Sequence, residues 1–280
     1  DELEKKHMEL IASYADDLHT VQHLVMENRN TPPIAHNLPP IAGALTWCRG
    51  LLERVRQPMD KLRELERQVM EREEAREVIK DYTTFLGQLA DFERNQIEAW
   101  GDSIESSSQA KLKNPLLRKE EHPDMPDAPA LLYVNFDPLL VRLLREVKYF
   151  LLLGFQVPGT ALEIYQHSEV FRRHMGNLDL IVNMYNNIQT TLLPVERPLL
   201  GNQLAKINKL LAQGIGGAKA KGKAPAKSLN WKSANIDLFL NESLSEVREV
   251  NETLAVLKSN LRRVEELLDG WSLQSLFTRN

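Results

Sequence analysis

Cysteine is nearly missing: Cys48 is the single thiol in 280 residues. That excludes a disulfide framework and fits a reducing compartment. Aromatic residues make up only 6% of the chain, and Leu, Glu, Arg and Lys are abundant instead, which favours helix. Positive charge is not in excess either. Lys and Arg number 35 against 39 Asp and Glu, a formal net charge of −4, so no basic field exists to attract nucleic acid and no such partner is expected. No apolar run approaches the length of a membrane span, and no membrane partner is expected. The chain opens on a charged helical pattern rather than a signal peptide, and the expectation is a piece cut from a longer protein. Paired carboxylates with a supporting base, a metal-ligand cluster and a nucleophile motif are all missing, so nothing points to an enzyme or to a bound cofactor.

What is present is helical periodicity. Hydrophobic residues are 42% and charged residues 26%, the balance of a globular or helical protein. The most complete signal runs from Asp137 to Pro158. Asp137 can cap a helix, Pro138 suits its first position, and Leu140, Leu143, Leu144, Val147, Phe150 and Leu151 recur at helical spacing. The opposite face carries Arg142, Arg145, Glu146 and Lys148. Gly154 can take the left-handed conformation that ends the helix, and Pro158 prevents its return.

Residues 1–29 predict a helix with Leu3, Leu10, Ile11, Tyr14, Leu18, Val21, Leu24 and Val25 on one face. His19 and His23 sit one turn apart on it, but a third ligand and the glutamate of a His-Glu-x-x-His site are lacking. Asn30 to Pro40 is a proline-rich hinge, and Pro40 can open the next helix. Ile41, Leu45, Cys48, Leu52, Val55, Met59 and Leu62 then form a heptad-like seam. Pro58 should kink or break it. Cys48 on that seam reads as core rather than nucleophile. Trp47 is the largest anchor here. The basic side, with Arg49, Arg54 and Arg56, is either a solvated face or a surface for an acidic partner.

Glu73 to Trp100 predicts a third helix, and Asp102 to Pro129 a polar, mostly irregular connection. Leu131 to Phe136 could be a short extended segment. Thr160 can cap a short helix, Leu178 to Leu193 predicts a longer one stopped at Pro194, and Leu199 to Leu211 continues as helix. Gln213 to Ser228 is low-complexity Gly/Ala/Lys and reads as a mobile loop. Within it Gly217-x-x-x-x-Gly222-Lys223 has the spacing of a phosphate-binding loop, but Ala224 stands where Ser or Thr would hold Mg²⁺ and no strand precedes it. Ser233 to Leu268 predicts a last long helix. Its Val247, Val250, Leu254, Leu257, Leu261, Val264 and Leu268 follow three–four spacing, which serves a bundle seam or an intermolecular coiled coil equally well.

Several blocks resemble one family. Val-Asn-Phe-Asp (134–137), Leu-Leu-Arg-Glu-Val-Lys-Tyr-Phe (143–150) and Leu-Gly-Phe-Gln-Val-Pro (153–158) resemble the N-terminal tail, or stem, of dynein heavy chains of the ciliary (axonemal) type. So do Asn-Leu-Pro-Pro-Ile-Ala-Gly-Ala-Leu-Thr-Trp-Cys-Arg-Gly-Leu-Leu (37–52), the run from Leu178 to Leu199, and Trp231, Ile236, Phe239 and Trp271. The resemblance covers roughly 37–271 and is weakest in the polar connection and in the Gly/Ala/Lys loop, which looks like an insertion.

The expected fold is all-α: an elongated array of helical bundles with long helices, proline-containing hinges and at most a short extended segment. Residues 1–105 are expected as a first bundle, 106–130 as an irregular connector and 131–212 as a central bundle. Residues 213–228 are expected as a flexible loop, and 229–280 as a long helix leading to the next bundle. The resemblance implies a stem that joins an ATP-driven, microtubule-walking motor to the axoneme. It also implies intermediate chains with WD repeats, light chains, other heavy chains and axonemal docking proteins as partners, in the cytoplasm and cytoskeleton of a cilium or flagellum. Partner contact is expected at Trp47, Arg49, Arg54 and Arg56. A helical tethering or spectrin-like scaffold is the other reading, and the irregular proline boundaries argue against a regular repeat.

Overall fold

A computed structural model of the chain describes residues 2–64, 70–121, 129–216 and 228–272. The contacts divide it into two compact units, Asp1–Ser108 with Leu139–Gln166 and Gln109–Pro138 with His167–Asn280. The fold is mostly helical: among the described residues there are eight α-helices, one 3-10 turn and one small sheet.

The first unit is built on α1 (Glu2–Asn28), α2 (Pro40–Arg63), α3 (Glu73–Lys111, which ends beyond this unit), α4 (Pro138–Leu153) and α5 (Gly159–Gln166). Ile11, Tyr14, Leu18 and Val21 of α1 meet Cys48, Val55, Met59 and Leu62 of α2 and Tyr82, Phe85, Leu89 and Phe92 of α3. Burying each such side chain contributes about 1.5–3 kcal/mol. A second cluster joins Ala42, Leu45, Phe150 and Phe155, with the Trp100 ring 4.8 Å from that of Phe150 and tilted 51° to it. Gly154 sits at φ 70° and closes α4 as its sequence predicts, the amide of Phe155 donating to the Phe150 carbonyl at 2.8 Å.

Four local expectations change. The α2 helix is not broken at Pro58; the proline removes one ladder bond near the end, while buried Val55, Met59 and Leu62 hold the helix to the core. On α1, Leu3 and Leu10 are exposed, as are His19 and His23. On α4, Leu144 is only half-buried and Leu151 is exposed. The α3 helix runs on to Lys111 where an irregular connection is expected from Asp102. Buried Ile104 and Ser108 continue its inward face, and the Ser106 and Ser107 hydroxyls donate to the Ser103 carbonyl within the helix, so the serine run is absorbed rather than disruptive.

The second unit comprises β1 (Leu117–Glu120), β2 (Leu131–Val134), α6 (Ser168–Thr191), the 3-10 turn Arg197–Leu200, α7 (Gly201–Leu211) and α8 (Ile236–Ser272). The strands are antiparallel, with Leu117 opposite Val134. The Asn186 side chain of α6 completes β2 by accepting the Leu132 amide and donating to its carbonyl, both at 2.9 Å. Asn135 donates its side chain to the Pro115 carbonyl and its own carbonyl accepts the Trp231 indole at 2.9 Å. Phe136 packs between Phe171 and Trp231.

The edges of the Gly/Ala/Lys stretch are part of this framework. Gly214 accepts the Leu117 amide at 2.9 Å and Gln213 accepts the Leu229 amide at 2.8 Å. A Cβ on Gly214 would stand 2.9 Å from the Phe239 ring. Residues 213–216 are therefore tied down, against the expectation of a mobile loop from Gln213 onward. Composition reads small residues as flexible and cannot see that the same smallness lets backbone approach backbone.

Candidate functional site

The α2 helix begins with a problem its own sequence does not solve. Pro39 and Pro40 offer no amide donors, so the first orphan donors are those of Ile41 and Ala42, and no neighbouring side chain caps them. Glu146 of α4 supplies the missing acceptor: Oε1 takes the Ile41 amide and Oε2 the Ala42 amide, each at 2.9 Å. Glu146 is only 4% exposed. Burial pushes its carboxyl above the usual range, against the opposing pull of the two amides and Arg145. Glu146 therefore lies on the buried face of α4 and not on the opposite one expected for it, while Arg142, Arg145 and Lys148 are exposed. The missed signal was the proline pair, which leaves two donors that some distant acceptor must satisfy.

Arg49, half-buried, works across the same unit. Its guanidinium donates to the Leu153 carbonyl at 2.8 Å and to Glu93 at 3.2 Å, and lies 3.5 Å over the Phe155 ring. It borders an open cleft of about 530 Å³ with Glu93, Arg94, Ile97, Glu98 and Gln156. Trp47 is half-buried, edge-on to Phe92 at 6.1 Å. Arg54 and Arg56 face solvent, and Arg56 pairs with Asp60 at 3.7 Å. The four residues share one helix but not one surface: Trp47 and Arg49 touch the body of the unit, while Arg54 and Arg56 point outward.

Within each unit, segments far apart in the sequence pair up. Pro40 to Ala42 meet Glu146, Arg49 meets Leu153 and Phe155, and Asn135 and Phe136 meet Trp231. Their work is joining segments. Cys48 is buried with its thiol on the Leu89 carbonyl, and burial pushes its pKa up to about 11, so it is a poor nucleophile. Exposed His23 lies 3.5 Å from Glu27. Among the described residues no group of three or more His, Cys, Asp or Glu could hold a metal, and no helix is long and apolar enough to cross a membrane. Gly217, Gly222 and Lys223 lie outside the described residues.

The long seam of α8 divides in two. Val247, Val250 and Leu254 are buried, where α6 and α7 pack on α8. Beyond them Leu261, Val264, Leu268 and Trp271 are exposed by 36%, 50%, 53% and 67%. At the change-over Lys258 donates to both oxygens of Glu196 at 2.9 and 2.7 Å. Glu196 also accepts the Leu193 amide. The Lys258 ammonium, first, and that amide hold its carboxyl below the usual range.

Residues 1–239 match the family described as dynein heavy chain, N-terminal region 1. The chain belongs to this family. It is 33% identical to the flagellar outer arm dynein beta chain of Chlamydomonas reinhardtii, over 99% of this chain and 6% of that protein. It is 32% identical to the ciliary dynein beta chain of Heliocidaris crassispina, over 92% of this chain and 6% of that protein. Dynein axonemal heavy chain 17 of Mus musculus is 29% identical over 89% of the chain and 5% of its own length. The chain therefore spans about 6% of the length of such relatives, and the joints described above belong to a dynein heavy-chain tail segment.

Proposed function

We propose that this segment is a force-transmitting and subunit-holding part of the stem of a ciliary dynein heavy chain, placed in the cytoplasm and cytoskeleton at the axoneme of a cilium or flagellum. In this reading the catalytic, ATP-driven work on microtubules belongs to other parts of a longer heavy chain. The segment itself takes no cofactor. Its mechanism is mechanical: packed helices transmit force and their outer faces hold intermediate chains with WD repeats, light chains, neighbouring heavy chains or axonemal docking proteins. The observation that carries the reading is the alignment of nearly the whole chain with flagellar and ciliary heavy chains. The distant joints made by Glu146 and Arg49 support a mechanical role, because they tie segments about a hundred residues apart into one body. The exposed half of the α8 seam supports a neighbour, since apolar helix faces of this size are usually covered. On α2 the partner surface is proposed at Trp47, Arg49, Arg54 and Arg56, with Arg54 and Arg56 its accessible members.

Crosslinking mass spectrometry on isolated axonemal complexes containing the full heavy chain tests this. Links from the lysines of this segment, Lys61 included, to other dynein subunits are expected. Links confined to this chain would reduce the segment to a passive strut.

A further inference from the structure

We propose that the outward face of α4 is a docking surface for an acidic amphipathic helix of another polypeptide. This surface is separate from α2 and α8, and its argument does not depend on the stem reading.

The inward face of α4 holds Leu140, Leu143, Glu146, Val147 and Phe150. Directly opposite, Val141, Arg145, Lys148 and Leu152 recur at i, i+4, i+7 and i+11, which is one stripe on a helix of 3.6 residues per turn. Val141 is 50% exposed and Leu152 68%. Half-buried Leu144 and exposed Leu151 widen the stripe on one side. The stripe is about 16 Å long at 1.5 Å per residue, enough for roughly three turns of a partner helix.

Charge decides what kind of helix fits. Arg142, Arg145, Glu146 and Lys148 are the charged residues of α4. The one anion, Glu146, is turned inward onto the Ile41 and Ala42 amides. What remains outside is cationic. Arg145 donates to the Asn37 carbonyl at 3.0 Å, which holds the guanidinium on the stripe while leaving it further donors. A partner that buries Leu152 and Val141 must bring apolar residues, and one that lies beside Arg145 and Lys148 must bring carboxylates. Both demands are met by an amphipathic helix with a leucine stripe flanked by Asp and Glu. A lipid surface suits the face less well, because the stripe lacks the Trp or Phe that anchors interfacial helices.

Two measurements on the full segment and its assembled complex test the proposal. Zero-length carbodiimide coupling in the assembled complex should join Lys148 to an Asp or Glu of another polypeptide, and Lys148→Arg should abolish that product. Coupling of Lys148 only within its own chain would overturn the proposal. Fluorescence anisotropy then uses a 21-residue helical peptide with Leu at core positions and Glu flanking them, and a twin with Lys in place of Glu. The acidic peptide should bind the wild type, and at least tenfold less tightly the Lys148→Glu, Leu152→Ser and Arg145→Glu/Lys148→Glu variants. The basic twin should prefer the double variant. Equal binding of both peptides, or acidic-peptide binding that survives these changes, refutes it. So does binding of phosphatidylserine–phosphatidylcholine vesicles with no binding of the acidic peptide. The single Lys148→Glu and Leu152→Ser changes sit on the outer face, so unchanged melts separate lost docking from lost folding.

Discussion

The carboxylate of Glu146 accepts the amide of Ala42 across 104 residues at 2.9 Å, and with the Ile41 amide it caps a helix whose own approach, Pro39-Pro40, brings no cap. Truncation to Ala should leave two amides without their acceptor, a loss of about 2 kcal/mol or more from donors each worth about 1–3 kcal/mol when left unpaired. Glu146→Gln keeps one acceptor oxygen and should fall between. Arg145→Ala, an exposed control, should shift stability by less than about 1 kcal/mol. Urea titrations followed by circular dichroism check this. Equal midpoints for Glu146→Ala and Arg145→Ala would show that water replaces the carboxylate.

Two buried glutamates should give opposite pH responses. The folded-state pKa of Glu146 lies above its ordinary 4.5, so the fold holds that proton more tightly than the unfolded chain. Its contribution is full below the ordinary value and is lost as pH rises through the raised pKa. Glu196 is held below 4.5, chiefly by Lys258. Its contribution is present above the ordinary value and is lost as pH falls through the lowered pKa. Relative to Glu146→Gln, the wild type should therefore weaken as pH rises from about 4.5; relative to Glu196→Gln, it should weaken as pH falls below that. Melting temperatures of the three proteins across this range give the slopes, and parallel curves would remove the linkage argument.

Arg49 and Arg56 lie two turns apart on α2 and differ in what they touch. Arg49→Ala loses a carbonyl, Glu93 and the Phe155 ring, and should cost about 1–3 kcal/mol. Arg49→Lys should recover less than half, because an ammonium cannot both stack and fork. Arg56→Ala loses one exposed ion pair and should cost less than about 0.5 kcal/mol. If Arg56→Ala nonetheless weakens subunit capture in a reconstituted complex, the outer side of α2 is a partner surface. If it changes neither stability nor capture, that side is solvated.

Much of this was legible in periodicity and punctuation. Pro40, the α4 leucines, Gly154 and the α8 seam each carry their signal within a few residues, and the helices form where those signals lie. What escaped depends on residues far apart in the chain. Glu146 looks like one charge in a basic run until the orphan amides of α2 are placed beside it. Ser106 and Ser107 look like a loop until Ile104 and Ser108 find a core. Asn186 looks like helix surface until β2 offers it an unpaired amide and carbonyl. Of the partner-face residues, Trp47 and Arg49 are anchored inward and Arg54 and Arg56 outward, a division that local spacing alone does not give.

The Gly/Ala/Lys stretch should behave as two things. Replacing residues 217–227 with a short Gly-Ser linker should change stability by less than about 1 kcal/mol, because closure entropy varies slowly with loop length. Gly214→Val should be clearly worse, since even its Cβ would stand 2.9 Å from the Phe239 ring and overpacking of a buried site costs about 1–3 kcal/mol. Thermal melts of both variants suffice. A large loss from the linker variant would mean that the replaced residues pack.

The α8 helix offers the sharpest comparison, because one seam carries a covered and an uncovered half. Val250 is 1% exposed and Val264 50%, three to four turns further along the same helix. Val250→Asp forces a carboxylate into the contact with α6 and α7, and an unpaired buried charge costs several kcal/mol. Loss of cooperative unfolding in the second unit is the expected outcome. Val264→Asp places its charge in water and should change the melt of the isolated chain by no more than about 0.5 kcal/mol. In the assembled complex the expectation reverses for Val264. If the exposed half is covered there, its aspartate should lower incorporation of the heavy chain while leaving the isolated segment as stable as before. Sedimentation of the isolated segment adds a check on self-association: a dimer that Val264→Asp dissolves would mean that a second copy, rather than a different subunit, covers the seam. Equal damage from the two substitutions in the isolated chain would place Val264 in a packed contact and remove the argument for a neighbour.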